Sequence, residues 1–253
     1  MTYFVNQNSI VRKIWGKGDT ILFIFAGAAA EFALNKAVDW LYFTGKLPAD
    51  PLGRLFSTVA YARQIVFAEH DAALHAIDKI TAIHQNVEQS RGAKIPDWAY
   101  RDVLFMLIDY SIRSFEVLER PLTDKEKEEV FNVFNRVGIR MGIAGLPENY
   151  PEWIIMRNDH LDQNLIKGDF TVDLFKQYRK HLGFLRYQLL LQTQILVVPK
   201  TVNQQLGLGN FNLLKPLLQV YKLTRLVQLE GLLKSVILPG NYKKQIMDLD
   251  VAV

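Results

Sequence analysis

The chain has 253 residues, of which 49% are hydrophobic and 22% charged, with 15 Gly, 9 Pro and no Cys. That composition suits a folded chain with one large core or two small ones, and it excludes disordered and collagenous classes. The absence of cysteine excludes disulfide frameworks, thiolate-held zinc, iron–sulfur clusters, thiol nucleophiles, and haem that is thiolate-ligated or tethered through Cys-x-x-Cys-His.

The net charge is +4 and the sequence pI about 9.1. Its basic residues stand singly or in pairs such as Arg12-Lys13 and Lys243-Lys244, with acids interleaved, so a solvated surface and no nucleic-acid partner are expected.

The most apolar run, Ile21 to Ala30, is too short to span a bilayer as it stands. Arg12, Lys13 and Lys17 before it and Ala28 to Ala30 at its end give it some likeness to a secretory signal. Asp19 interrupts that pattern, and helical spacing continues through Phe32, Ala33, Leu34, Ala37 and Val38, which predicts a buried core helix.

Helical periodicity dominates the remainder, and two-residue alternation with hairpin turns is absent, so the expected fold class is all-α. After the break at Leu47-Pro48-Ala49-Asp50-Pro51, the spacing predicts a helix from Leu52 to Ala68 with Leu55, Val59, Ala62 and Val66 on one stripe. Arg54, Thr58, Tyr61 and Ile65 run beside that stripe. Asp71 is expected to cap a helix reaching Glu88, with Ile77, Ile80, His84 and Val87 on one face. A helix from Pro96-Asp97 to Glu119 aligns Val103, Leu107, Tyr110, Ser114 and Leu118. Thr123-Asp124-Lys125-Glu126 reads as a capping box, followed by a buried stripe of Val130, Phe134, Val137 and Met141. Gly142 to Pro151 forms a loop, Pro151 opens a helix to Ile166, and Thr171 caps one that Gly183 ends or kinks. Phe184 to Val198 continues it, and the Leu-rich stretch Leu213 to Leu238 closes at Pro239-Gly240. No repeat or low-complexity linker divides residues 1–253, which read as one domain.

The five histidines are His70, His75, His84, His160 and His181, and only His84 lies clearly on an apolar helix face. His75, nine residues earlier, is half a turn out of phase and cannot share a metal with it. Gly-x-Ser-x-Gly, P-loop, Gly-x-Gly-x-x-Gly and His-Glu-x-x-His patterns are absent. A lone histidine on an apolar face is most often a core residue, but one neutral imidazole on a rigid helix also suffices to hold haem iron. Arg54 is a candidate partner for haem propionates, because guanidinium pairs with carboxylate bidentately.

The run Asp50-Pro-Leu-Gly-Arg54-Leu-Phe-Ser-Thr58, then Val66-Phe67-Ala68-Glu69, then Ala72 to Ile83-His84-Gln85-Asn86-Val87 resembles the latex-clearing-protein/MpaB oxygenase family. Later segments are similar as well: Asp102 with Leu104 to Ser111, Gly142 to Pro151, and Leu206 to Leu208. The likeness spans Ser9 to Tyr242. It implies a globin-like helical core holding haem b, with His84 as the axial iron ligand and Arg54 and Thr58 beside the haem; Tyr61 shares their face. Latex-clearing members place a lysine just before that threonine. Here the position is Ser57, which argues against a lysine-gated distal site and against rubber as substrate. Glu31 and Asp39 are the candidates for a distal base.

The function so implied is a haem b-dependent oxidoreductase, an oxygenase acting with O2 on an apolar, terpenoid or lipid-like substrate. The alternatives are a non-catalytic haem-binding sensor or carrier, and a cofactor-free helical interaction module in which His84 is a core residue. The expected location is cytoplasmic and without a transmembrane segment. The Leu-rich stretch leaves peripheral membrane contact open, and the sequence does not indicate an oligomeric state.

Overall fold

The structure is a computed structural model describing residues 2–45, 49–216 and 218–219. The side chain of Leu55, the break at 47–48, and the Leu-rich stretch beyond 219 lie outside the described residues. Ten named helices account for the fold: α1 Ile10–Trp15, α2 Gly18–Phe32, α3 Val38–Phe43, α4 Pro51–Phe67, α5 His70–Arg91, α6 Asp97–Leu118, α7 Asp124–Arg140, α8 Tyr150–Gln163, α9 Asp169–Val197 and α10 Lys200–Leu206. No strand occurs among the described residues, only two isolated antiparallel bridges, Tyr3 with Glu69 and Asn35 with Leu165. The fold is all-α.

The apolar run becomes α2, the centre of the molecule. Ile21, Ile24, Phe25, Ala26 and Ala30 are buried, and its most extensive packing is on α6. Gly27 makes that approach close: a Cβ there would clash with the edge of the Tyr110 ring at Cδ1 and Cε1. One continuous cluster joins α2 to Trp15, Phe105, Ile108, Phe131, Phe134 and Val197.

Local sequence sets most helix ends. Asp50 accepts from the Gly53 N–H at 2.8 Å with Pro51 at the first helical turn, so α4 starts where its Asp-Pro does. Thr123 and Glu126 form the reciprocal capping box of α7, with Glu126 accepting from the Thr123 N–H at 2.8 Å. Asn149 caps α8 through the Glu152 N–H.

Three ends differ from expectation. α5 begins at His70 after Glu69, and Asp71 lies exposed in its first turn, paired with His70 at 3.2 Å instead of capping. α8 stops at Gln163 because the chain then pairs with 34–36: Lys36 N–H donates to the Asn164 carbonyl, and Ile166 N–H to the Leu34 carbonyl at 2.7 Å. α9 begins at Asp169, since Thr171 sits one turn inside it. The Thr171 hydroxyl accepts from the Gly168 N–H and donates to the Ala33 carbonyl at 2.7 Å.

Candidate functional site

The helix faces that the spacing aligned meet around a cavity of about 790 Å³. α4 contributes Arg54, Ser57, Thr58, Tyr61, Ala62 and Ile65, and α5 contributes Ile80, Ile83 and His84. The rest of the wall is nearly all apolar: Leu22, Phe25 and Phe32 from α2, Leu104 and Leu107 from α6, Phe134 and Val137 from α7, Leu182 and Leu189 from α9. Residues 30 positions apart in the chain, Arg54 and His84, therefore share one apolar chamber.

His84 is held without being used. Its Nδ1 is buried and has no hydrogen-bond partner, and the ring makes no hydrogen bond or ion pair with any described residue. Burial, and then the Arg54 charge, hold its pKa below the ordinary 6.5. The Ile80 carbonyl one turn earlier opposes that shift without reaching hydrogen-bonding geometry at Nδ1, and Glu88 opposes it weakly. The imidazole is accordingly neutral, with an available lone pair.

Tyr100 of α6 meets the His84 ring edge to face, with centroids 5.3 Å apart. Its hydroxyl donates to Glu88 Oε1 at 3.2 Å, and Glu88 also accepts from the Ile95 N–H. Burial and Glu88 push the Tyr100 hydroxyl well up, so it stays protonated. The tyrosine that braces the imidazole is thus anchored one helical turn beyond it. Spacing within one helix cannot reveal such a cross-helix contact, and sequence reasoning missed it.

The other candidates lie as follows. Ser57 and Thr58 both donate to the Arg54 carbonyl, at 2.8 and 3.1 Å, while standing on the cavity wall. The Arg54 guanidinium makes no hydrogen bond or ion pair with a described residue, an unusual state for a half-buried cation. Glu31 and Asp39 are not on the cavity wall. Asp39 pairs with Arg91 at 2.6 Å, and Arg91 lies 4.0 Å over the Trp40 ring.

Glu31 is fully buried in an ionic network. Arg157 bonds it through two nitrogens at 2.5 and 2.6 Å, Tyr110 donates to it at 2.7 Å, and His160 Nε2 lies 2.9 Å away. His160 Nδ1 is 2.6 Å from Asp102, and Arg157 also bonds Asp109, which Arg113 reaches from the other side. His84 is therefore not the sole histidine on a core face: His160 is 3% exposed. The signal was present in the helical stripe Trp153, Arg157, His160, Leu161 and Asn164. Tyr61, like Tyr100 and Tyr178, lines the cavity, while Tyr110 belongs to the network.

Among the described residues no group of three or more His, Asp or Glu is arranged to hold a bare metal ion. The chamber offers a different donor set: one neutral imidazole, one unpaired guanidinium and an apolar wall. That set suits a flat apolar group that brings its own in-plane ligands and carries an anionic edge. Residues 13–229 match the family model described as the ER-bound oxygenase mpaB/B′/rubber oxygenase catalytic domain. No individual curated protein matches the chain.

Proposed function

Because the chain belongs to this oxygenase catalytic-domain family, we propose that it is a haem b-dependent oxygenase acting with O2 on an apolar, terpenoid or lipid-like substrate, its residues forming one domain. The observation that carries the reading is His84, a half-buried neutral imidazole whose Nδ1 is buried without a partner, facing the same apolar chamber as Arg54, which pairs with no described residue. His84 would hold the iron, and Arg54 would pair with a propionate, with Ser57 and Thr58 on the same wall donating to the Arg54 carbonyl and so fixing that turn of the helix. When bound, the haem supplies O2 activation, chemistry no side chain in the chamber performs alone.

The protein's own part is positioning and exclusion. Tyr100 braces the imidazole edge. Leu104, Leu107, Phe25 and Phe134 exclude water and offer an apolar substrate a surface that a polar one would not gain from. With Glu31 held by Arg157, Tyr110 and His160, and Asp39 by Arg91, the proton-handling group is sought on the cavity wall, where Tyr61 is the first candidate.

The test is an absorption spectrum of the purified chain, as isolated and after addition of haemin. A Soret band that His75→Ala retains and His84→Ala loses is expected. A chain that takes up no haem, or an unchanged spectrum in His84→Ala, overturns the assignment. Oxygen uptake with a panel of terpenoid and lipid substrates then separates an oxygenase from a carrier.

A further inference from the structure

Gly183 breaks α9 in two with φ 72° and ψ 175°, a conformation that favours glycine. The two residues after the break, Phe184 and Leu185, stand 66% and 71% exposed. Scattered single leucines on a surface need no explanation, but a Phe-Leu pair projected from a bend does. Two turns further on, Gln192 holds the returning chain through Asn212 and Leu213, and Phe211 and Leu213 are 77% and 58% exposed there.

Charge on this part of the chain is one-sided. Between residues 174 and 229 there are eight Lys and Arg and no Asp or Glu, although the whole chain carries only +4, so the remainder is net negative. Lys176, Arg179 and Lys180 are exposed on the turns just before the break. A cationic last turn is favourable at any helix end, but that accounts for neither the apolar pair nor an acid-free stretch of this length.

The inner face of the same stretch belongs to the chamber: Leu182, Arg186, Leu189 and Leu190 line the cavity. Apolar tip, basic collar and cavity wall thus occur within two or three helical turns of one another. No helix among the described residues is long and apolar enough to cross a membrane. An apolar tip at a bend with a basic collar behind it is suited to lying on a surface.

We propose that the kink of α9 seats the protein on an anionic lipid surface. Phe184 and Leu185 enter the boundary between headgroups and acyl chains, and Lys176, Arg179 and Lys180 face the headgroup charge. A second step, that apolar substrate passes from the bilayer past α9 into the cavity, rests on the oxygenase reading above; the docking itself does not.

The experiment is co-sedimentation of the full chain with phosphatidylcholine vesicles, with and without phosphatidylserine. Binding is expected only with phosphatidylserine, and it should fall as salt is raised. The double variant Phe184→Ser/Leu185→Ser should lose roughly tenfold or more in partitioning. Lys176→Glu/Arg179→Glu/Lys180→Glu should remove the dependence on phosphatidylserine. Both variants change exposed side chains and should keep the wild-type far-UV dichroism. Equal sedimentation with both vesicle types, or with neither, overturns the proposal. So does a wild-type dimer that the double variant converts to monomer, which would assign the tip to a second copy of the chain. The Soret band reports the haem reading separately: its absence with docking intact, or its presence with docking lost, tells the two failures apart.

Discussion

An exposed imidazole is half protonated near pH 6.5, whereas burial and the Arg54 charge keep His84 neutral below that point. The sign of its effect on stability follows. The folded state binds fewer protons at this site than the unfolded chain, so stability is lost as pH falls below 6.5. Urea midpoints should accordingly drop less steeply between neutral and mildly acid pH in His84→Ala than in wild type; parallel slopes would mean that the imidazole titrates as if exposed. Arg54 differs in kind, because nothing described pairs with it. Arg54→Ala should leave the apo fold intact and weaken haem retention by roughly tenfold, the worth of a charged hydrogen-bonded pair. Haem transfer to apomyoglobin measures that, and an unchanged transfer rate would remove Arg54 from the site. At this scale the sequence disclosed what one helix aligns. His84, Arg54, Thr58 and Tyr61 followed from phase, while Tyr100 and the Glu31 network needed distances between helices.

Three helices, α2, α6 and α8, meet at buried charge instead of purely apolar packing. Glu31, Asp109 and Asp102 are matched by Arg157, His160 and Arg113, so the cluster is close to neutral when His160 is protonated. Burial alone would raise the Glu31 pKa and lower that of His160. The Arg157 guanidinium reverses the first, and Asp102 and Glu31 reverse the second. The two contributions therefore have opposite pH dependence. That of Glu31 is present above its ordinary 4.5 and lost in acid. That of His160 is present below its ordinary 6.5 and lost as pH rises through its raised value. Removing one partner strands the others, so Arg157→Met should cost about 3–5 kcal/mol. Tyr110→Phe, which deletes one bond to a carboxylate, should cost about 1–3 kcal/mol. Urea denaturation with unchanged slope reads both, and near-equal losses would show that the network does not act through Arg157. The helices themselves were legible as amphipathic stripes. Their altered ends were not, because α8 and α9 are bounded by pairing with residues 33–36, more than a hundred positions away.

Across the whole molecule, two properties oppose each other: the chain buries a continuous core, and yet a chamber of about 790 Å³ remains inside it. Sequence pattern could not separate these, since a side chain lining an apolar chamber and one filling a core have the same spacing. Charge was misleading on the same grounds. Interleaved acids describe the chain as a whole but fail over residues 174 to 229, where eight basic residues and no acid are spread too thinly to form a block. The chamber also determines how the molecule responds to its cofactor. A ligand that binds only the folded state stabilises it by about 2.7 kcal/mol at a hundredfold excess over its dissociation constant. For a chain of this size about 1 kcal/mol moves the melting temperature by roughly 2–4 °C, so haemin should raise it by about 5–10 °C. His84→Ala should abolish that rise. Without haemin the same variant should melt only a few degrees lower than wild type, because it loses the edge contact with Tyr100 while Nδ1 gives up no hydrogen bond. An apo variant that melts many degrees lower would instead make His84 a packing residue of the core, and the cofactor would then have to be held elsewhere.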